Sequence, residues 1–220
     1  TDYDEIISTF NEETLSSLSF ENNHDLKIVK AYNLLKNDFD LPPVHIHLHK
    51  IIPIGAGLGG GSSDAAYTLL GLNELCQLNL TREKLEEYAA QLGSDCAFFI
   101  SPSPKHCTGR GEIMTDLPLT LSGKYLKLIY PHIHISTQEA YAGITPKSNS
   151  VSTLETTKLP IEKWKDTLTN DFEVPLFDKY PELRAIKQSL YDEGAIYAGM
   201  SGSGSCLFGV FEGEAQISKG

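Results

Sequence analysis

Five glycines fall within eleven residues: Pro53, Ile54, Gly55, Ala56, Gly57, Leu58, Gly59, Gly60, Gly61, Ser62 and Ser63 run from a strand-like stretch into a helix-like one. Glycine permits positive φ and carries no Cβ to hold a ligand away from the backbone. At the head of a helix the first N–H groups have no intrahelical partner, and the dipole puts partial positive charge behind them. Such a turn suits a polyphosphate. The hydroxyls of Ser62 and Ser63 could add contacts to phosphate oxygens or a magnesium ion. A glycine linker or simple tight turn is the bland account, and the strand-to-helix placement argues against it. No lysine occurs in the segment, which excludes the Walker pattern. Main-chain amides, rather than side-chain cations, are therefore expected to grip the phosphates. Gly55-x-Gly57-x-x-Gly60 satisfies a dinucleotide fingerprint, but that fold needs a following strand ending in an acidic residue. Here the helix leads through Asn79-Leu80-Thr81 into another helix.

Other residues could do chemistry near such a turn. Asp95 follows Gly93-Ser94 and precedes an apolar run over 97–100, so it reads either as a turn or capping aspartate or as a base. A second glycine-rich turn, with Gly202, Ser203 and Gly204, lies between two strand-like stretches and is a hairpin on the plain reading. Thr137 and Tyr141 follow the strand and Pro131, and Tyr141 alone could be an ordinary half-buried tyrosine. His45, His47 and His49 share one strand face, but no carboxylate or cysteine joins them at ligand spacing, so no metal site is expected. Arg110, between two glycines, reads as a solvated turn residue.

The elements that must position these residues follow from periodicity. Val44, Ile46 and Leu48 alternate with the histidines, which predicts a half-buried strand over 44–52. A helix from about Ser62 keeps Ala65, Leu69, Leu72 and Cys76 on one side. Thr81 is a plausible N-cap for a second helix carrying Leu85, Tyr88, Ala89 and Leu92, closed by Gly93 as a C′ glycine. Shorter predictions are a strand from about Glu5, a helix over 28–35, and a turn within a strand pair at 107–112. Composition shifts near Ser122-Gly123, which places a domain boundary there, giving 1–122 and 123–220. Beyond it come a strand over 125–130, an exposed loop over 145–157, a helix over 161–172, a helix through Leu183, Ile186 and Leu190 stopped by Gly194, and strands over 195–198 and 206–211.

Composition removes some function classes. The chain of 220 residues has 29 acidic against 18 basic side chains, a formal net charge of −11, so a nucleic-acid partner is not expected. No apolar run approaches the roughly 20 residues that span a bilayer, and no signal-peptide pattern opens the chain. The four cysteines form no Cys-x-x-Cys pair, which fits reduced thiols and a cytoplasmic location.

The run Pro-Ile-Gly-Ala-Gly-Leu-Gly-Gly-Gly-Ser-Ser-Asp-Ala-Ala resembles the ATP-binding motif of the GHMP kinase superfamily. Three further motifs resemble that superfamily in order: Gly93-Ser94-Asp95-Cys96-Ala97-Phe98-Phe99, Asn170-Asp171-Phe172-Glu173, and residues 199–205. The resemblance implies an α+β, two-domain fold, with a ribosomal protein S5 domain 2-like N-terminal domain that binds nucleotide and a ferredoxin-like C-terminal domain. It implies ATP and Mg²⁺ as cofactors, Asp95 as the catalytic base, residues 53–63 as the ATP-binding turn, and Gly202, Ser203 and Gly204 closing over the phosphates. The triple glycine is similar to the branch acting on a cytidylyl substrate, 4-diphosphocytidyl-2-C-methyl-D-erythritol, phosphorylated on its 2-hydroxyl in non-mevalonate isoprenoid precursor biosynthesis. Thr137 and Tyr141 would then face that substrate, with the ring on cytosine. A sibling kinase for mevalonate, homoserine or a sugar, and an inactive nucleotide-binding relative, are the alternatives. A monomer or homodimer with no membrane partner is expected. The superfamily's opening Lys-(Ile/Leu)-Asn strand and Asp-Gly-Tyr-His segment are not matched, so the chain is expected to start after them, without the catalytic lysine.

Overall fold

A computed structural model describes residues 5–10, 26–101, 103–111, 113–144 and 153–213. The chain divides into two compact units, Thr1–Ile54 with Gly59–Leu117, and Gly55–Leu58 with Pro118–Gly220. The glycine segment is therefore shared. Its tip belongs to the second unit and its helix-entering half to the first.

In the first unit, β1 (Glu5–Phe10) pairs antiparallel with β2 (Val44–His49), Glu5 opposite His49 and Phe10 opposite Val44. β2 stops three residues short of the predicted end. Its apolar positions are half-buried and its three histidines exposed. Among the described residues no group of His, Cys, Asp or Glu could hold a metal ion. Three helices supply the core. α1 (Leu26–Asp38), longer at both ends than predicted, buries Ile28, Ala31, Tyr32 and Leu35, the i, i+3, i+4, i+7 stripe of an amphipathic helix. α2 (Gly60–Leu75) begins two residues before Ser62 and buries Ala65, Ala66, Leu69 and Leu72. α3 (Arg82–Leu92) adds Leu85, Tyr88 and Ala89. Each buried leucine is worth about 1.5–3 kcal/mol, so this cluster fixes where the head of α2 stands. The Thr81 side chain caps α3 by accepting from the Lys84 N–H. Gly93 does follow α3, but at φ 165° and ψ 153° it is extended rather than a left-handed C′ glycine. Its missing side chain matters for space instead: a Cβ there would lie 3.2 Å from Lys27 Nζ and 3.3 Å from Cys96 Sγ. A hairpin of β3 (Lys105–Thr108) and β4 (Ile113–Asp116) follows, as the 107–112 turn predicts.

The second unit starts from β5 (Tyr125–Ile129) and α4 (Thr137–Ala142), the latter capped by Ser136, whose Oγ accepts from the Glu139 N–H. Of the predicted loop over 145–157, residues 145–152 lie outside the described residues, and Thr153–Thr156 forms a short helix, α5. The single helix predicted over 161–172 is broken. A 3₁₀ turn at Ile161–Lys163 leads to α6 (Trp164–Thr167), Leu168 turns extended, and α7 (Glu173–Lys179) begins afresh. Within the break, Asn170 spends its side chain on the carbonyls of Met200 and Gly202. α8 (Pro181–Asp192) buries Leu183 and Leu190. It leads to β6 (Tyr197–Met200) and β7 (Leu207–Phe211), each starting one or two residues later than predicted. The sheet order is β5-β7-β6, antiparallel throughout. Counted from β5, that is first, third, second, as in a ferredoxin-like split βαβ sheet. Among the described residues no helix is long and apolar enough to cross a membrane.

One half-buried contact makes the first unit's stability depend on pH. The Tyr88 hydroxyl donates to Asp38 Oδ2 at 2.6 Å, and that bond, with burial, pushes the phenol up to about 12 from an ordinary value near 10. The neutral form is favoured in the folded state, so its contribution is complete below pH 10 and is lost as pH rises towards 12. The denaturant midpoint of the wild type should fall more steeply across that window than that of Tyr88→Phe. Parallel curves would show that the bond is worth nothing.

Candidate functional site

In the first unit, the head of α2 is bare. Gly59, at φ 69°, precedes the helix, and its carbonyl accepts from the N–H groups of Ser62 and Ser63, both at 2.9 Å. No side chain caps the helix. The triple glycine divides into different roles. A Cβ on Gly59 would meet the Phe99 ring at 2.7 Å, and one on Gly60 would meet Lys50 Nζ at 2.8 Å. Around a Cβ on Gly61 nothing lies within 4 Å. Packing therefore accounts for two glycines, and open space for the third.

Two lysines stand at this head. Lys27, from the first turn of α1, donates to Ser62 Oγ at 2.9 Å and lies 3.8 Å from Cys96 Sγ. Lys50 pairs with the buried Asp64 at 2.7 Å. A motif that carries no lysine of its own thus has two beside it, one from α1 and one from the segment after β2. Neither lysine is legible in advance, because each comes from an ordinary stretch outside the motif. Asp64 carried the one usable signal, a carboxylate beside Ala65 and Ala66 that must be buried and so must be paired.

Asp95 is exposed on the turn after α3, where the Cys96 N–H closes on the Gly93 carbonyl at 3.0 Å. Its Oδ1 faces the β3–β4 hairpin, 3.4 Å from where a Cβ on Gly111 would be. Desolvation and then the Asp95 charge push the nearby Cys107 thiol up, against the opposing pull of Lys105. An accessible carboxylate beside a glycine could accept a proton from a bound alcohol.

In the second unit, the tip of the first glycine turn lies on the second glycine turn. The Cys206 N–H donates to the Ala56 carbonyl at 3.0 Å, and Ser201 Oγ donates to the Gly57 carbonyl at 2.8 Å. Gly57, at φ 78°, has no room for a side chain: a Cβ would sit 2.2 Å from the Ser201 carbonyl oxygen and 2.8 Å from that of Gly204. A Cβ on Gly202 would come within 3.0 Å of the Gly57 carbonyl oxygen, so part of this turn's glycine content serves the packing of one turn on the other. Ser203, between them, is half-buried. Of the remaining tip residues, Ala56 is buried, Gly55 exposed and Leu58 half-buried; Pro53 and Ile54, which belong to the first unit, are exposed.

The Asn-Asp-Phe-Glu motif braces that second turn. Asn170 Nδ2 donates to the carbonyls of Met200 and Gly202, both at 2.8 Å, and its Oδ1 accepts from the Phe172 N–H. Glu173, buried, accepts the Met200 N–H at 2.8 Å and pairs with Lys187 at 2.6 Å. Thr137 is exposed at the start of α4. Tyr141, on the same helix, is 63% exposed and meets Phe172 edge-on, centroids 5.0 Å apart.

Gly57→Ala should cost at least about 2 kcal/mol, from the left-handed backbone and the backbone clash together. Chemical denaturation of the purified variant measures it. A change below about 0.5 kcal/mol would mean that the two turns do not pack as described.

The chain matches two family profiles, GHMP kinases N terminal domain over residues 27–102 and GHMP kinases C terminal over 160–219. It is 50% identical over 196 residues, 89% of this chain and 72% of the relative, to 4-diphosphocytidyl-2-C-methyl-D-erythritol kinase of Bacteroides thetaiotaomicron. To the protein of the same name from Azobacteroides pseudotrichonymphae it is 52% identical over 189 residues, 84% of this chain and 70% of that one. A crystal structure of 4-(cytidine 5'-diphospho)-2C-methyl-D-erythritol kinase is similar with a TM-score of 0.81 and 28% identity, over 97% of this chain and 78% of that one.

Proposed function

Because the chain belongs to the GHMP kinases, whose N- and C-terminal domain profiles it matches in order, we propose that it transfers the γ-phosphate of ATP to the 2-hydroxyl of 4-diphosphocytidyl-2-C-methyl-D-erythritol. The observation that carries the nucleotide part is the uncapped head of α2 with open space over Gly61. An alanine there would favour the helix, so the bare position is explained by what approaches it. The substrate part rests on the relatives' names and on the exposed Tyr141 ring, which can stack on cytosine for about 1–3 kcal/mol.

Residues 53–63 hold the phosphates in this reading, and Gly202, Ser203 and Gly204 bind on the substrate side with Thr137 and Tyr141. Asp95 takes the proton of the 2-hydroxyl as its oxygen bonds to the γ-phosphorus and the bond to ADP breaks. The hydroxyl of Ser63, half-buried at the helix head, is a hard oxygen donor that fits Mg²⁺ carried mainly by the nucleotide. That ion would neutralise phosphate charge when bound. The nucleotide domain is 1–122 and the C-terminal domain 123–220. The reading includes a cytoplasmic place in non-mevalonate isoprenoid precursor synthesis.

Asp95→Asn should lower kcat by about 10²- to 10⁴-fold with ATP binding retained. Unchanged turnover would remove Asp95 from the chemistry. Phosphorylation of mevalonate or homoserine, but not of the cytidylyl substrate, would overturn the assignment of substrate. Gly61→Ala should match or exceed wild-type stability, by up to about 1 kcal/mol, yet bind ATP more weakly by calorimetry. Equal ATP affinity would leave the open space without a role.

A further inference from the structure

The reaction proposed above needs positive charge beside the phosphates, and the motif itself supplies none. Lys27 is placed to do so. Its ammonium leaves the first turn of α1 and rests on Ser62 Oγ at 2.9 Å, at the head of α2. Its other neighbours are Cys96 Sγ, 3.8 Å away and next in sequence to Asp95, and the backbone at Gly93, where a Cβ would lie only 3.2 Å from Nζ. These partners are a hydroxyl, a thiol and a glycine. Among the described residues no carboxylate lies within ion-pair distance of it, whereas Lys50, at the same helix head, is committed to Asp64. In a chain with an excess of acidic groups, a half-buried ammonium whose partners among the described residues are all neutral has charge to offer an anionic ligand.

We propose that Lys27 binds the terminal phosphates of ATP, leaving its bond to Ser62 or sharing it with a phosphate oxygen. This rests on residues 53–63 being the ATP-binding turn. A lysine is a point charge with three rotatable donors, suited to following a phosphoryl group as it moves from nucleotide to alcohol. The position between Ser62 and the Asp95 turn puts that charge beside both the phosphate-binding helix head and the base. Ser62 is then a parking partner as well as a phosphate contact.

Affinities of wild type, Lys27→Met and Lys27→Arg for a nonhydrolysable ATP analogue and for AMP test this by calorimetry, with thermal unfolding run alongside. Lys27→Met should lose about 10- to 100-fold in affinity for the ATP analogue and less than twofold for AMP, and Lys27→Arg should recover part of the loss. Equal losses for both nucleotides, or none, would overturn the proposal while leaving the ATP-binding turn standing. A wild type that binds neither nucleotide would overturn the turn itself, and Lys27 with it. Should Lys27→Met not fold, amine acylation of the wild type followed by peptide mass spectrometry decides. Lys27 should be protected by the ATP analogue and not by AMP, and labelling that ignores both ligands sinks the assignment.

Discussion

Gly57 has its main chain pressed against the main chain of residues 201–204, with no side chain between them. Two hydrogen bonds, Cys206 to the Ala56 carbonyl and Ser201 to the Gly57 carbonyl, fix the approach, and the clash a Cβ would suffer shows how little slack remains. Much of the surrounding sequence follows from this constraint. Gly202 is bare on the facing side, and Asn170, between helices, and Glu173, at the start of α7, hold Met200 and Gly202 in place. A turn built from glycine has little stiffness of its own. Here the stiffness comes from what the turn is laid against.

The other half of the segment is organised by electrostatics. With 29 acidic side chains against 18 basic, the chain as a whole repels anions, so affinity for a triphosphate must be local. The head of α2 gathers a helix dipole, two lysines and a buried aspartate within one turn of helix. Asp64 does not cancel the site, because its charge is taken up by Lys50. The core of α1, α2 and α3 then holds the lysine of one helix at the head of another.

Much of this could be read from residue patterns, and the failures are physically coherent. The alternation at 44–49, the cap at Thr81 and the turn into α2 are local effects, and they stand nearly where periodicity and capping place them. The helix over 161–172 fails because apolar spacing continues through Leu168 and Phe172, while Asn170 answers to carbonyls 30 and 32 residues further on. Gly93 follows its helix as predicted but is extended rather than chain-reversing, and Lys27, a residue 66 positions earlier, lies against it. Lys27 itself gave no signal, since its partners come from two other elements. What stayed hidden in each case was a contact between segments far apart along the chain.

Met200 is gripped at both ends of its backbone, its N–H by Glu173 and its carbonyl by Asn170, and Glu173 in turn is balanced by Lys187 on α8. With the peptide units on both sides of its Cα held, this residue cannot rock independently of the side chains that hold it. Substitutions on α8 that disturb Lys187 would thus be transmitted, through one carboxylate, to the glycine turn bearing Ser203. Sequence drift on that helix is consequently not neutral for the turn.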